Sequence, residues 1–183
     1  MKTLVCFGAS TAEGVGDSQG GFFKRLERKL ATAGRPHQCL NFGIGGNTTD
    51  DMAARLGALK PHLPAPAILL LGSNDFPRDG DAEPWRRVEL PAFRANLGKI
   101  FDAFDPAQAV FVSSFQVRWV TPEVFRTYTA AALELARERS FRTWDLHAES
   151  LEFGEKYLCD DGIHYNDAGH ELVAGHLMQI LPV

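Results

Sequence analysis

The sequence predicts a doubly wound α/β sandwich built on a mostly parallel sheet. Three observations carry that expectation. Short apolar runs alternate with longer segments whose apolar residues recur at helical spacing. The run "APAILLLGSND" is aliphatic without polar alternation, as a strand covered on both faces should be. Strand and helix signals alternate along the whole chain, with no internal repeat and no low-complexity linker. With 183 residues and a 45% hydrophobic composition, one well-covered core is expected, hence a single domain over residues 1–183.

Each element has its own signal. "TLVCFG" reads as the first strand, and "GGFFKRLERKLATAG" as a helix in which Phe22, Phe23, Leu26 and Leu30 share a face and Gly34 ends the pattern. "HQCLNFG" is a second strand. "TTDDMAARLGALK" is a helix opened by Thr48 or Thr49, with acidic residues in the first turn where the helix dipole favours them. "APAILLLGSND" supplies the third strand, and residues 77 to 91 are rich in proline and charge. A helix is expected over "AFRANLGKIFDAF", a fourth strand over "QAVFVSSF", and a helix from Pro122 to Arg139. "FRTWDL" makes the fifth strand. "NDAGHELVAGHLMQIL" closes the chain as a helix with Leu172, Val173, Leu177, Ile180 and Leu181 on its inward stripe.

The net charge of −4 is modest and the basic residues are scattered, as at Lys24-Arg25 and Arg86-Arg87, so no footprint for nucleic acid or an anionic membrane emerges. A small-molecule partner is expected. Cys6, Cys39 and Cys159 are odd in number and form no CxxC pair, which argues against a disulfide framework or a zinc knuckle. No apolar stretch is long enough to span a membrane, and the first residues lack the pattern of a secretory signal. A cytoplasmic location is the expectation; the oligomeric state is not legible.

In open parallel sheets the ligand crevice lies beyond the carboxyl ends of the strands. There the chain reads "GAST" after the first strand, "NFGIGGNT" after the second and "GSND" after the third, with "DDGIHYND" before the last helix. Taken singly, each fragment has an ordinary reading as a cap, a glycine turn or an Asx-turn. Together they hold the parts of an acyl-transfer site. The hydroxyl of Ser10 needs a base, and His164 is one. Asp161, three residues earlier, is close enough to orient the ring, and that spacing favours it over Asp160. The Gly45-Gly46 step, the side chain of Asn74 and the N–H of Ser10 are candidate donors to a tetrahedral oxyanion. His147, two residues after Asp145, is expected to be structural, and His170 and His176 to pack or face solvent on the final helix. No metal or organic cofactor is required by this chemistry.

The four fragments, in this order and at these separations, resemble the sequence blocks of the SGNH hydrolases, the GDSL esterase/lipase family. "FGASTAEG" is similar to the block of the nucleophile, "NFGIGGNTTDDMAARL" to that of the oxyanion glycine, "LLLGSNDF" to that of the oxyanion asparagine, and "DDGIHYNDAGHELVA" to that of the acid and base. The resemblance implies that Ser10 is the nucleophile, Gly46 and Asn74 are oxyanion donors, Asp161 is the orienting acid and His164 the base. It also implies a three-layer αβα sandwich around a five-stranded parallel sheet. Where the family usually has Gly-Asp-Ser, this chain has Ala9 in the middle, which is expected to change local hydrogen bonding and leave the mechanism in place.

Three rival readings meet an obstacle in the residues themselves. "GASTA" is no nucleophile elbow of the α/β-hydrolase kind, because position 12 is alanine. "GIGGNT" lacks the third glycine of a dinucleotide fingerprint. A flavodoxin-like module cradling a phosphate in "STAEGVG" would have no use for Asp161 and His164. An ester hydrolase acting on short acyl or acetyl esters is therefore expected, with a carbohydrate among the candidate alcohols and thioesters and lysophospholipids open. Trp119 and Val120, after the fourth strand, and Phe76, just past Asn74, are the candidates to wall an apolar acyl pocket.

Overall fold

The computed structural model describes residues 2–78, 80 and 87–183, so part of the charge-rich stretch from 77 to 91 lies outside the described residues. Strands β1 (Lys2–Gly8), β2 (His37–Gly43), β3 (Ala67–Leu70), β4 (Ala109–Val112) and β5 (Arg142–Trp144) form one sheet in the order β2-β1-β3-β4-β5. Every neighbouring pair is parallel. The helices are α1 (Ser10–Glu13), α2 (Gly21–Thr32), α3 (Thr49–Ala54), α4 (Leu90–Phe101), α5 (Pro122–Glu138), α6 (Leu146–Phe153) and α7 (Asp167–Ile180).

Alternate residues of the central strands serve opposite faces, so the sheet separates two cores. Leu4, Cys6, Ile68, Leu70, Val110 and Val112 pack with α2 and α7 on one side. On the other, Val5, Phe7, Leu69 and Phe111 pack with α3, α4 and α5, whose Met52, Phe93, Leu97 and Phe125 are buried there. The expected αβα sandwich is therefore present. Because β1 is flanked by β2 and β3, the connections leaving β1 and β3 part at this point of the sheet, and a crevice opens beyond their carboxyl ends.

The helix expected over "TTDDMAARLGALK" is shorter than its apolar pattern. Thr48 caps it in a reciprocal box with Asp51, but α3 ends at Ala54 and a 3-10 turn runs from Leu56 to His62. Gly57 and Pro61 explain the change, since neither supports an α-helical interior. Two helices leave no periodic signal in the sequence. Four residues of α1 are too few to show a period, and α6 is announced mainly by its cap, the Asp145 side chain accepting the N–H of Ala148. On α7 the buried line runs through His170, Val173, Ala174 and Leu177, while Leu172 and Ile180 are only partly covered on its flanks. No helix among the described residues is long and apolar enough to cross a membrane.

Candidate active site

β1 delivers Ser10 to the crevice. Gly8, the last residue of the strand, is pressed against its neighbour, and a Cβ there would lie 2.2 Å from the carbonyl oxygen of Leu70. Ala9 is fully buried, and Ser10 begins α1 immediately beyond it. The departure at position 9 has a packing reason: a Cβ on Gly72 would stand 3.1 Å from that of Ala9 and 3.5 Å from Nδ2 of Asn74. A carboxylate at position 9 would enter a close-packed space.

The loop beyond β2 curls back over Ser10. A Cβ on Gly45 would be 3.8 Å from Cβ of Ser10, and Gly46 takes a left-handed φ of 75°, which glycine accommodates without strain. The N–H of Gly45 donates to Oε2 of Glu13 at 2.7 Å, and Asn74 Nδ2 donates to the carbonyl of Asn47 at 3.0 Å. Gly45, Asn74 and Ser10 are thus brought to one neighbourhood. Asp75 turns away from it, accepting the N–H and hydroxyl of Thr49 at 2.9 and 2.6 Å. Burial pushes its carboxyl up to about 6, against the pull of those hydrogen bonds.

Sequence reasoning missed Arg55. Its Nε donates to Oδ1 of Asn47 at 2.7 Å, Nη1 to the carbonyl of Phe42 at 2.7 Å and Nη2 to the carbonyl of Gly8 at 2.8 Å. The guanidinium also lies 4.4 Å from the centre of the Phe7 ring. One side chain thereby ties the ends of β1 and β2 to the glycine loop. Nothing in the pattern of "MAARLG" distinguishes this arginine from a solvent-facing one.

Asp161 and His164 form a closed unit. Nδ1 of His164 is 2.7 Å from Oδ2 of Asp161, while Oδ1 accepts the N–H groups of Ile163 and His164 at 2.8 and 3.0 Å. Partial burial opposes the charged form of Asp161, but the hydrogen bonds from His164 and Ile163 outweigh it and hold the carboxyl below the usual range. With Nδ1 engaged, Nε2 is the ring nitrogen left for proton transfer. Asp160 is on the surface, and the contact drawn from it is its carbonyl, which takes Nη1 of Arg118 at 3.0 Å.

The segment after α1 connects the two halves of the site. Val15 donates its N–H to the carbonyl of Ser10 at 3.0 Å, and a Cβ on the adjoining Gly16 would lie 3.2 Å from Cβ of His164 and 2.2 Å from the carbonyl oxygen of Tyr165. Only glycine allows that approach. His170, fully buried, holds the segment from behind: its Nδ1 accepts the N–H of Phe22 and its Nε2 donates to the carbonyl of Val15, each at 3.0 Å. Asp17 adds a buried ion pair with Arg25 at 2.6 Å.

Other candidates resolve as structural. His147 stacks on Phe125 with ring centres 4.7 Å apart, and His176 stacks on Trp144 at 3.9 Å. Phe76 and Val120 are buried: Phe76 is surrounded by Phe93, Phe125 and Tyr128, and Val120 lines a cavity between the β4–α5 connection and α6. Trp119 remains exposed, its indole N–H donating to the carbonyl of Asp161 at 3.0 Å. Among the described residues no group of three or more His, Cys, Asp or Glu side chains gathers as a metal site.

Residues 6–172 match the profile of the GDSL-like lipase/acylhydrolase family. The chain belongs to this family. A GDSL-like acylhydrolase is an ester hydrolase, which sets aside the flavodoxin-like reading; the carboxylate of Glu13 in the "STAEGVG" loop is also unsuited to cradling a phosphate. Among solved structures the acylhydrolase resembles a lipase/acylhydrolase from Enterococcus faecalis with a TM-score of 0.85 at 19% identity, over 98% of this chain and 94% of the other. It also resembles a catalytic mutant of an acetylxylan esterase from Geobacillus stearothermophilus, with a TM-score of 0.81 at 19% identity over 98% and 94% of the two chains. A third relative, the acetyl xylan esterase AlAXEase, has a TM-score of 0.79 at 20% identity over 96% and 98%. No curated protein matches the acylhydrolase in sequence.

Proposed function

We propose that this acylhydrolase cleaves short acyl esters through Ser10, His164 and Asp161, with the N–H groups of Ser10 and Gly46 and the side chain of Asn74 as oxyanion donors. In this reading Nε2 of His164 takes the Ser10 proton as Oγ attacks the ester carbonyl. The tetrahedral oxyanion is held by the three donors. Its collapse expels the alcohol, protonated by His164, and leaves acyl-Ser10. Water, deprotonated in turn by His164, then attacks the acyl group and releases the acid and free Ser10. No metal or organic cofactor takes part in these steps.

The observation that carries the reading is the 2.7 Å contact between His164 and Asp161, made by a carboxylate whose other oxygen is already anchored by two backbone N–H groups. Such a histidine has a defined orientation and a compensated positive charge. Support for a short acyl group comes from Val15 and Ile44, exposed residues whose N–H groups bond the carbonyls of Ser10 and Gly8 and whose side chains are short apolar ones. The names of the acetylxylan esterase relatives point the same way.

The test is labelling and loss of turnover together. Ser10→Ala is expected to fold as the wild type does and to hydrolyse no p-nitrophenyl acetate, and an organophosphonate is expected to add to Ser10 by mass spectrometry. An active Ser10→Ala variant, or a label on another residue, overturns the assignment. Comparing acetyl with long-chain esters tests the acyl preference.

A further inference from the structure

Between β4 and α5 the chain buries Val117 and Val120 and leaves Arg118 and Trp119, the two residues between them, exposed. The side chain of Gln116 closes this short turn of chain, Nε2 donating to the carbonyls of Val117 and Val120 at 3.0 and 2.7 Å. His147 orients that amide, its Nε2 donating to Oε1 of Gln116 at 3.2 Å, and the N–H of Gln116 donates to Oγ of Ser150 at 3.0 Å. Arg118 and Trp119 are therefore mounted on a stiff base.

What they meet is the loop of Asp161 and His164. Nη1 of Arg118 donates to the carbonyl of Asp160 at 3.0 Å, Nε1 of Trp119 to that of Asp161 at 3.0 Å, and the backbone N–H of Arg118 to that of Gly162 at 2.9 Å. Three successive carbonyls of the loop thus accept from one dipeptide. The approach is close, because Gly162 has a left-handed φ of 68° and a Cβ there would stand 2.8 Å from Cβ of Arg118. Glu155 steadies the guanidinium, taking Nε and Nη2 on its two oxygens at 2.9 and 2.5 Å. Bonds inside the loop, from the N–H of Cys159 to the carbonyl of His164 at 2.8 Å and from the N–H of Gly162 to the carbonyl of Cys159 at 2.9 Å, set its shape but not its place.

We propose that Arg118 and Trp119 are positioning residues, a clamp that holds the acid–base loop where the imidazole of His164 can exchange a proton with Ser10. The clamp rests on the triad reading above and adds to it what keeps base and nucleophile in register. Asp161 and His164 stand on the surface side of the loop, with side chains 44% and 26% exposed. Their 2.7 Å contact orients the ring within the loop, but a drift of the whole loop would carry both groups away from Ser10 together. Misplacement by about 1 Å can cost about a hundredfold in rate. Bonds from outside the loop oppose that drift, and those from Arg118 and Trp119 reach the carbonyl of Asp161 itself and of the residue on either side of it.

The experiment is a double-mutant cycle read by hydrolysis of p-nitrophenyl acetate. It uses W119F, which keeps a ring and loses the N–H, and R118A, each alone and each combined with H164A. Alone, each is expected to lower kcat about five- to tenfold with KM changed by less than about twofold. W119F alters no charge, so a fall in both variants separates positioning from the loss of a cation. R118K, whose ammonium can still donate to a carbonyl, is expected to recover part of the loss. In the H164A background both substitutions are expected to change the residual rate by less than about twofold, because a clamp that acts through His164 then has nothing to position. Equal losses with and without His164, as a general structural role would give, overturn the clamp. A loss carried by KM, as a Trp119 that touches substrate would give, also overturns it, and so do unchanged rates. The Nδ1–H proton of His164, followed by downfield proton NMR, reads the loop without turnover and is expected to be sharp in the wild type and broadened in W119F and R118A. Should Ser10→Ala or H164A hydrolyse the ester at the wild-type rate, the triad reading falls; a broadened resonance then still upholds the hold on the loop, and an unchanged one refutes it. Unchanged rates and resonance in W119F and R118A beside an inactive Ser10→Ala refute the clamp and leave the triad standing.

Discussion

The carboxylate of Glu13 accepts the backbone N–H of Gly45 at 2.7 Å. The short helix α1 thus begins with Ser10 and ends with the brace of the glycine loop that turns over it. This bond occupies the N–H of Gly45 and fixes the Ile44–Gly45 peptide unit, one residue before Gly46. Glu13→Ala is expected to lower kcat about tenfold with little change in KM, because the lost order matters most when charge develops on the oxyanion. Glu13→Gln keeps an accepting oxygen and is expected to recover most of the rate. Steady-state kinetics on an acetyl ester checks this, and a change confined to KM would contradict it.

Arg55 spans three acceptors that belong to β1, β2 and the glycine loop. The point charge of a lysine cannot reproduce that planar fork. Arg55→Lys is expected to cost about 1–3 kcal/mol of stability in urea unfolding, with a fall in kcat as the loop loosens. Unchanged unfolding and unchanged kinetics would show that the three bonds are dispensable.

Ala9 stands where the family resemblance implies aspartate, and it is fully buried against Gly72. Ala9→Asp is expected to destabilise the fold by about 3 kcal/mol or more near neutral pH, since it buries a charge in a close-packed space. The penalty should shrink in acid, where the new carboxyl is neutral. Unfolding curves near pH 7 and pH 4 test both parts, and a variant as stable as the wild type at both would reveal a partner for the charge.

Asp75 gives a pH dependence of definite sign. Its folded carboxyl titrates at about 6, mainly through burial, above the ordinary value of 3.8. The folded state therefore holds this proton more tightly than the unfolded chain does. The associated stability is fully present below about pH 4 and is lost as pH rises through about 6. Asp75→Asn keeps an oxygen for Thr49 and removes the titration. The melting temperature of the wild type relative to this variant is expected to fall by a few degrees, roughly, between about pH 5 and 7. A constant difference across that range would exclude the assignment.

Much of the molecule was legible before any coordinates. The unbroken aliphatic run ending at Leu71 predicted a strand covered on both faces, and β3 is buried on both faces. A cap at Thr48 or Thr49 and the start of α5 at Pro122 were also readable, because caps and proline act within one turn of chain, and the structure makes Thr48 the cap. The three-residue spacing of Asp161 and His164 was enough to pair them, since a tight turn can close that distance unaided. Asp145 and His147 resemble a second such pair, and their place at a strand end already favoured a structural role; what each one holds was not legible. One caps α6 and the other stacks on Phe125, a residue more than twenty positions away.

By itself, then, the chain determined the alternation of strand and helix, the order of the four site fragments and the identity of the side chains they offer. These follow from local periodicity and short-range hydrogen bonding, which neighbouring residues settle among themselves. Tertiary structure alone decided that Phe76 and Val120 belong to the core, that Arg55 and Glu13 brace the glycine loop, and that Trp119 rests on the loop of Asp161 and His164. Those outcomes depend on which surfaces meet after the sheet has assembled, and segments far apart in sequence carry no local mark of the partners they will find.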